Sequence, residues 1–101
     1  MKITDGFHAT MTALPGKADE LIKLLLDAPS LPNDDCAVFL VGRSASNPDI
    51  VHVTEGWVSK EAHTRFFDSE EAQAFTAKIQ ALVTGDSQYT DELPVGGKAA
   101  F

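Results

Sequence analysis

What the sequence has little of narrows it first. A single cysteine, Cys36, excludes an internal disulfide. Its place in an apolar run points to a reducing compartment and a buried, inert thiol. Basic residues are scarce, 8 against 15 acidic, for a net charge of -7. So acidic a chain suits neither nucleic acid nor an anionic membrane as a partner. No apolar run approaches the roughly 20 residues of a membrane-spanning helix. The opening MKITDGFHAT has one Lys and no apolar core, so no secretory leader is expected and a cytoplasmic location is. No set of His, Cys and carboxylate residues has zinc-site spacing, and no Gly-rich segment follows the phosphate-loop pattern. Neither a metal nor a nucleotide is therefore expected as cofactor. What remains is a chain of 101 residues, 44% hydrophobic, long enough for one core and small enough to gain from association. A single domain over residues 1–101 is expected, with an ordered core at about 6–95 and a tail at 96–101.

Periodicity supplies the elements. Phe7 to Leu14 alternates, with Phe7, Ala9, Met11 and Ala13 on one face, as in a strand with one apolar side. Pro15-Gly16 ends it. Ala18, Leu21, Ile22 and Leu25 then follow helical spacing, and Leu24 and Leu26 widen the apolar stripe. Pro29 and Pro32 mark a loop. Cys36 to Gly42, CAVFLVG, is apolar without alternation, which predicts a strand buried on both faces. Arg43 to Asp49 is a polar hairpin loop, in which Arg43 either meets solvent or pairs with a second copy of the chain. Ile50 to Val58 is a third strand, with Val51, Val53, Glu55 and Trp57 on one face and Ile50, His52, Thr54 and Gly56 on the other. Gly56 leaves room for a bulge or a close approach. Ser59 and Ser69 are N-caps of two successive helices, and Gly85 suits the stop of the second. Ser87 to Val95, with Asp91, Glu92 and Pro94, reads as an edge strand.

The order β-α-β-β-α-β, with the second helix in two pieces, is the ferredoxin-like α+β arrangement, an antiparallel sheet with helices on one face. The bare face needs a cover, and a homodimer with sheets packed face to face is the simplest one. Function needs a site rather than a fold. The stretch from Ile50 to Phe75 offers one, a strand ending on Trp57 followed at once by a helix carrying His63.

That stretch also carries a resemblance. Glu55-Gly56-Trp57, then SKEAH at Ser59 to His63, then Ala72 to Phe75, with PVGGK at Pro94 to Lys98, resembles the antibiotic biosynthesis monooxygenase family over about residues 6 to 98. The resemblance implies a dimeric α+β barrel. Its activities include anthrone-type and quinol monooxygenases that use O₂ without flavin or metal, and haem-degrading enzymes. Anthrone-oxidising members place an Asn four residues before the Trp and a Tyr six after it; those positions here hold Val53 and His63. Where haem-degrading members have a second Trp and the ligand His, this chain has Phe66 and Thr76. Thr is no ordinary axial ligand, so haem degradation is not expected.

Cofactor-free oxygenation needs a base, a dry apolar cavity and donors for the developing oxyanion. The expected base is His63, with His52 second. Trp57, Phe66, Phe75 and Glu55 are the expected substrate contacts, and the expected ligand is a small aromatic or quinone-like molecule. Each choice has a structural alternative: Trp57 as core, His63 as a half-exposed surface residue, His52 as the cap of a strand edge, Glu55 as a partner for neighbouring N–H groups. The alternative function is a non-catalytic barrel binding a small apolar ligand, with Trp57 packed and the histidines facing water.

Overall fold

In the computed structural model, which describes residues 3–98, the first alternating stretch is strand β1 (Asp5–Thr12). It starts two residues earlier than Phe7, so Asp5 joins Phe7, Ala9 and Met11 on one face. Helix α1 (Ala18–Leu25) buries Ala18, Leu21 and Leu25. Leu26, expected to widen that stripe, is exposed beyond the helix end. Strands β2 (Cys36–Arg43) and β3 (Ile50–Trp57) form the hairpin; α2 (Lys60–Phe67), α3 (Glu70–Gln80) and β4 (Gln88–Glu92) complete the order. All pairings are antiparallel in the order β2-β3-β1-β4, the ferredoxin-like topology. The weak last strand is indeed an edge, exposed throughout. The expected tail is described only to Lys98, and residues 99–101 lie outside the described residues.

The helices cover one face of the sheet. Ala9, Met11, Val51 and Val53 meet Leu21 and Leu25 of α1 and Leu82 and Val83 after α3, with Phe7, Phe39 and Phe75 packed around them. The other face carries His8, Thr10, His52 and Thr54, together with Val38 and Leu40 of β2. Strand β2 is an edge strand whose helix-side face is covered within the chain, and the cover expected for its other face is a second copy. Phe39 and Val41 turn to the core, while Leu40 on the opposite face is 51% exposed. Cys36 is correspondingly half-buried rather than buried, its thiol donating to the Val38 carbonyl. Burial, followed by the nearby Glu55 carboxylate, pushes that thiol up to about 11. Arg43 pairs within the chain, with Asp19 of α1.

Both readings of Gly56 hold. The β2–β3 register shifts between Cys36 and Val38, opposite Gly56 and Trp57. A Cβ on Gly56 would sit 3.0 to 3.2 Å from Ile3 and Val38, so the glycine lets the N-terminal segment lie close over the sheet. Among the described residues, no helix is long and apolar enough to cross a membrane.

Candidate functional site

The paired ends of β1 and β3 form the floor. Asp5 lies opposite Trp57 and Phe7 opposite Glu55, all on the helix-covered face. Helix α2 supplies the piece above them. Its cap Ser59 accepts from the Ala62 N–H at 3.0 Å, and the His63 N–H donates to the Ser59 carbonyl. Capping fixes the first turn of α2 and so the azimuth of His63.

Three contacts orient the imidazole. Its plane stacks on the Trp57 indole, with ring centroids 4.9 Å apart and 12° between planes. Phe7 meets it edge-on at 5.9 Å. Its Nδ1 lies 2.6 Å from Asp5 Oδ2. An ionised carboxylate only accepts, so against it Nδ1 is the donor and Nε2 is the nitrogen left free. Asp5 is only 7% exposed, which keeps this charge-assisted bond out of competition with water.

Glu55 is the second polar group. Its Oε1 accepts from Trp57 Nε1 at 2.9 Å and stands 3.9 Å from His63 Nε2, beyond hydrogen-bond range. Burial raises its pKa, outweighing the opposite pulls of the indole N–H and His63, and Asp5 adds a smaller upward push. A carboxyl taken out of water favours its neutral form.

Above Glu55 and His63 lies a cavity of about 240 Å³ between the sheet and helices α2 and α3. Its wall is apolar, with Phe39, Val53, Phe66, Phe75 and Ile79 among the contributors. A second, more polar cavity of about 440 Å³ is bordered by Asp5, Lys60, Asp68 and Asp91. Phe7, His63 and Phe67 border both, so His63 stands at the partition.

The expected site residues thus divide. Glu55, His63, Phe66 and Phe75 converge on one cavity. Trp57 does not border it: wholly buried, it lies behind His63 and positions the ring rather than walling the cavity. His52 is on the other face of the sheet, exposed, with Nδ1 3.3 Å from Thr10 Oγ1. It cannot share a substrate with His63. Val53 and His63, which replace the Asn and Tyr of anthrone-oxidising proteins, both line the cavity. Sequence reasoning missed Asp5 and Phe7. Their common strand face was readable, since Asp5, Phe7, Ala9 and Met11 continue one alternation, but the contact of Asp5 with His63 was not.

Residues 6–78 match the profile of the antibiotic biosynthesis monooxygenases. The chain belongs to that family. Among solved structures, a candidate antibiotic biosynthesis monooxygenase from Chloroflexus aurantiacus is similar at 31% identity, over 95% of this chain and 97% of that one, with a TM-score of 0.80. Two proteins of the same description share the fold at lower identity. That from Deinococcus radiodurans is 23% identical, with 96% and 98% coverage and a TM-score of 0.81. That from Caulobacter crescentus is 22% identical, with 94% and 92% coverage and a TM-score of 0.81. No curated protein sequence matches the chain significantly. Membership in the antibiotic biosynthesis monooxygenase family gives the fold and leaves the reaction to be argued from the cavity.

Proposed function

We propose that this family member is a cofactor-independent monooxygenase for a small anthrone- or quinol-type aromatic, with His63 as the base. The observation that carries the reading is His63 itself, locked between Asp5 and Trp57 at the wall of an apolar cavity. Such an imidazole takes a proton with little reorganisation, and the apolar walls favour the discharge of the resulting anion to O₂ over side reactions with water. The electrons come from the substrate. An anthrone CH₂ with O₂ gives a carbonyl and one water, and a quinol with O₂ gives a hydroxyquinone and one water. The cavity, at about 240 Å³, exceeds the roughly 150 Å³ that accepts a benzene ring. We further propose a homodimer through the open sheet face, supported by the exposed Leu40 and the half-buried Val38 beside it.

The test is oxygen uptake by metal-free, flavin-free protein on a panel of anthrones and hydroquinones. Uptake is expected to fall at least about tenfold in His63→Ala, roughly 1.4 kcal/mol of barrier. Uptake unchanged in that variant would remove His63 from the reaction. A second reading, a barrel that binds a small apolar molecule without turning it over, draws support from Trp57, which is packed core. Ligand binding with no uptake on any panel member would favour it.

A further inference from the structure

Among the described residues, the buried polar side chains are Asp5 and Ser30, and Ser30 is only 3% exposed. Asp5 is engaged by His63. No hydrogen bond among the described residues engages Ser30 Oγ. The loop from α1 to β2 holds the residue by its backbone instead. The Asn33 N–H donates to the Ser30 carbonyl at 3.1 Å, and the Leu31 N–H donates to the Ala28 carbonyl. Pro29 and Pro32 restrict the chain on either side. The Val58 N–H donates to the Asp35 carbonyl at 3.0 Å, fastening the loop to the end of β3 beyond Trp57. The turn is complete without the hydroxyl.

A hydroxyl kept from water with no partner costs free energy that an alanine there would not. Among the described residues, no fully occluded side-chain N or O lacks a partner, so Ser30 Oγ reaches open space. The space that Ser30 borders is the apolar cavity. Leu25 of α1 and Phe39 of β2, the two elements that the loop joins, border it as well. A single water at Ser30 needs further partners, and those two side chains offer none. Ser30 therefore adds an open polar atom to the cavity wall, from a different element than Glu55 or His63.

We propose that Ser30 Oγ is a ligand contact, donating a hydrogen bond to the carbonyl oxygen of an aryl ketone held in the cavity. The inference rests on the apolar cavity as the ligand site, and not on whether the ligand is turned over there. The choice of carbonyl follows from counting hydrogens. Two hydroxyls form one bond and leave one O–H hydrogen without an acceptor in an apolar wall. A hydroxyl and a carbonyl leave none. Of the aromatics proposed above, Ser30 thus favours the anthrone type, which carries a ketone, over the quinol type.

The test is calorimetric binding of acetophenone and ethylbenzene, one ring with and without a carbonyl, to the wild type and to Ser30→Ala. The substitution is expected to weaken acetophenone at least about threefold, as for one hydrogen bond, and to leave ethylbenzene no weaker. Comparing each ligand across the two proteins cancels its own hydration. Without ligand, the urea midpoint of Ser30→Ala should equal or exceed that of the wild type, because the hydroxyl removed has no partner to lose. Acetophenone affinity unchanged in Ser30→Ala, a loss shared equally by ethylbenzene, or a lowered midpoint would each overturn the contact. So would a wild type that binds neither probe. The result is separable from oxygen uptake. Selective loss of acetophenone with no uptake on the anthrone and hydroquinone panel keeps the contact and removes the monooxygenase. Uptake that depends on His63, with acetophenone bound equally by both proteins, does the reverse.

Discussion

Glu55 sits on the strand face that otherwise turns Val51, Val53 and Trp57 to the core, and this gives its charge a thermodynamic signature. A carboxyl whose pKa rises on folding contributes fully below its ordinary value of 4.5 and loses that contribution as pH climbs through the raised folded value. Glu55→Gln cannot ionise. Its urea midpoint is expected to gain on that of the wild type as pH rises above this point, and parallel curves would mean that Glu55 ionises as freely in the fold as outside it. At the level of single residues the site was partly legible. The alternation of β3 that places Glu55 and Trp57 together also places His52 on the opposite face, so periodicity alone separates the two histidines. Asp5 was not legible as a site residue. A charge at the mouth of an apolar alternation reads as solvent, and its partner His63 is 58 residues away. Nor could Trp57's place behind the cavity be read, because that depends on which ring α2 lays over it.

Helices α2 and α3 form the roof of the cavity, and two serines set their starts. Ser59 Oγ accepts from the Ala62 N–H at 3.0 Å and Ser69 Oγ from the Ala72 N–H at 3.1 Å. Ser69 Oγ also donates to the Phe66 carbonyl at 2.6 Å, fastening the end of one helix to the beginning of the next. Loss of an N-cap costs about 1 kcal/mol. Ser59→Ala is therefore expected to lower unfolding free energy by about that much, and Ser69→Ala by more, as measured by urea titration. Equal losses would mean that the Ser69–Phe66 link contributes nothing. These caps, the 3.6-residue period and the strand alternation were all readable, since each is a local pattern. CAVFLVG was readable in the same way, as a strand with more apolar surface than one helix layer covers, and in the chain by itself only one side has that layer.

At the scale of the whole molecule, that uncovered side sets the next experiment. Leu40 is 51% exposed on the open face, flanked by Val38 on the same strand. If a second copy packs there, Leu40→Asp should convert dimer to monomer in sedimentation velocity while preserving the fold by circular dichroism. A dimer that survives the substitution would place the contact elsewhere. The sequence has one tryptophan, and that residue is wholly buried with its indole stacked on His63. Light emitted by this protein on excitation at the red edge of the indole band therefore comes from a single fluorophore in contact with the proposed base. A protonated imidazole quenches indole emission more than a neutral one, and the Glu55 carboxyl on the indole N–H also changes state with pH. Brightness against pH in Glu55→Gln, which cannot ionise, is therefore an optical readout of the imidazole alone.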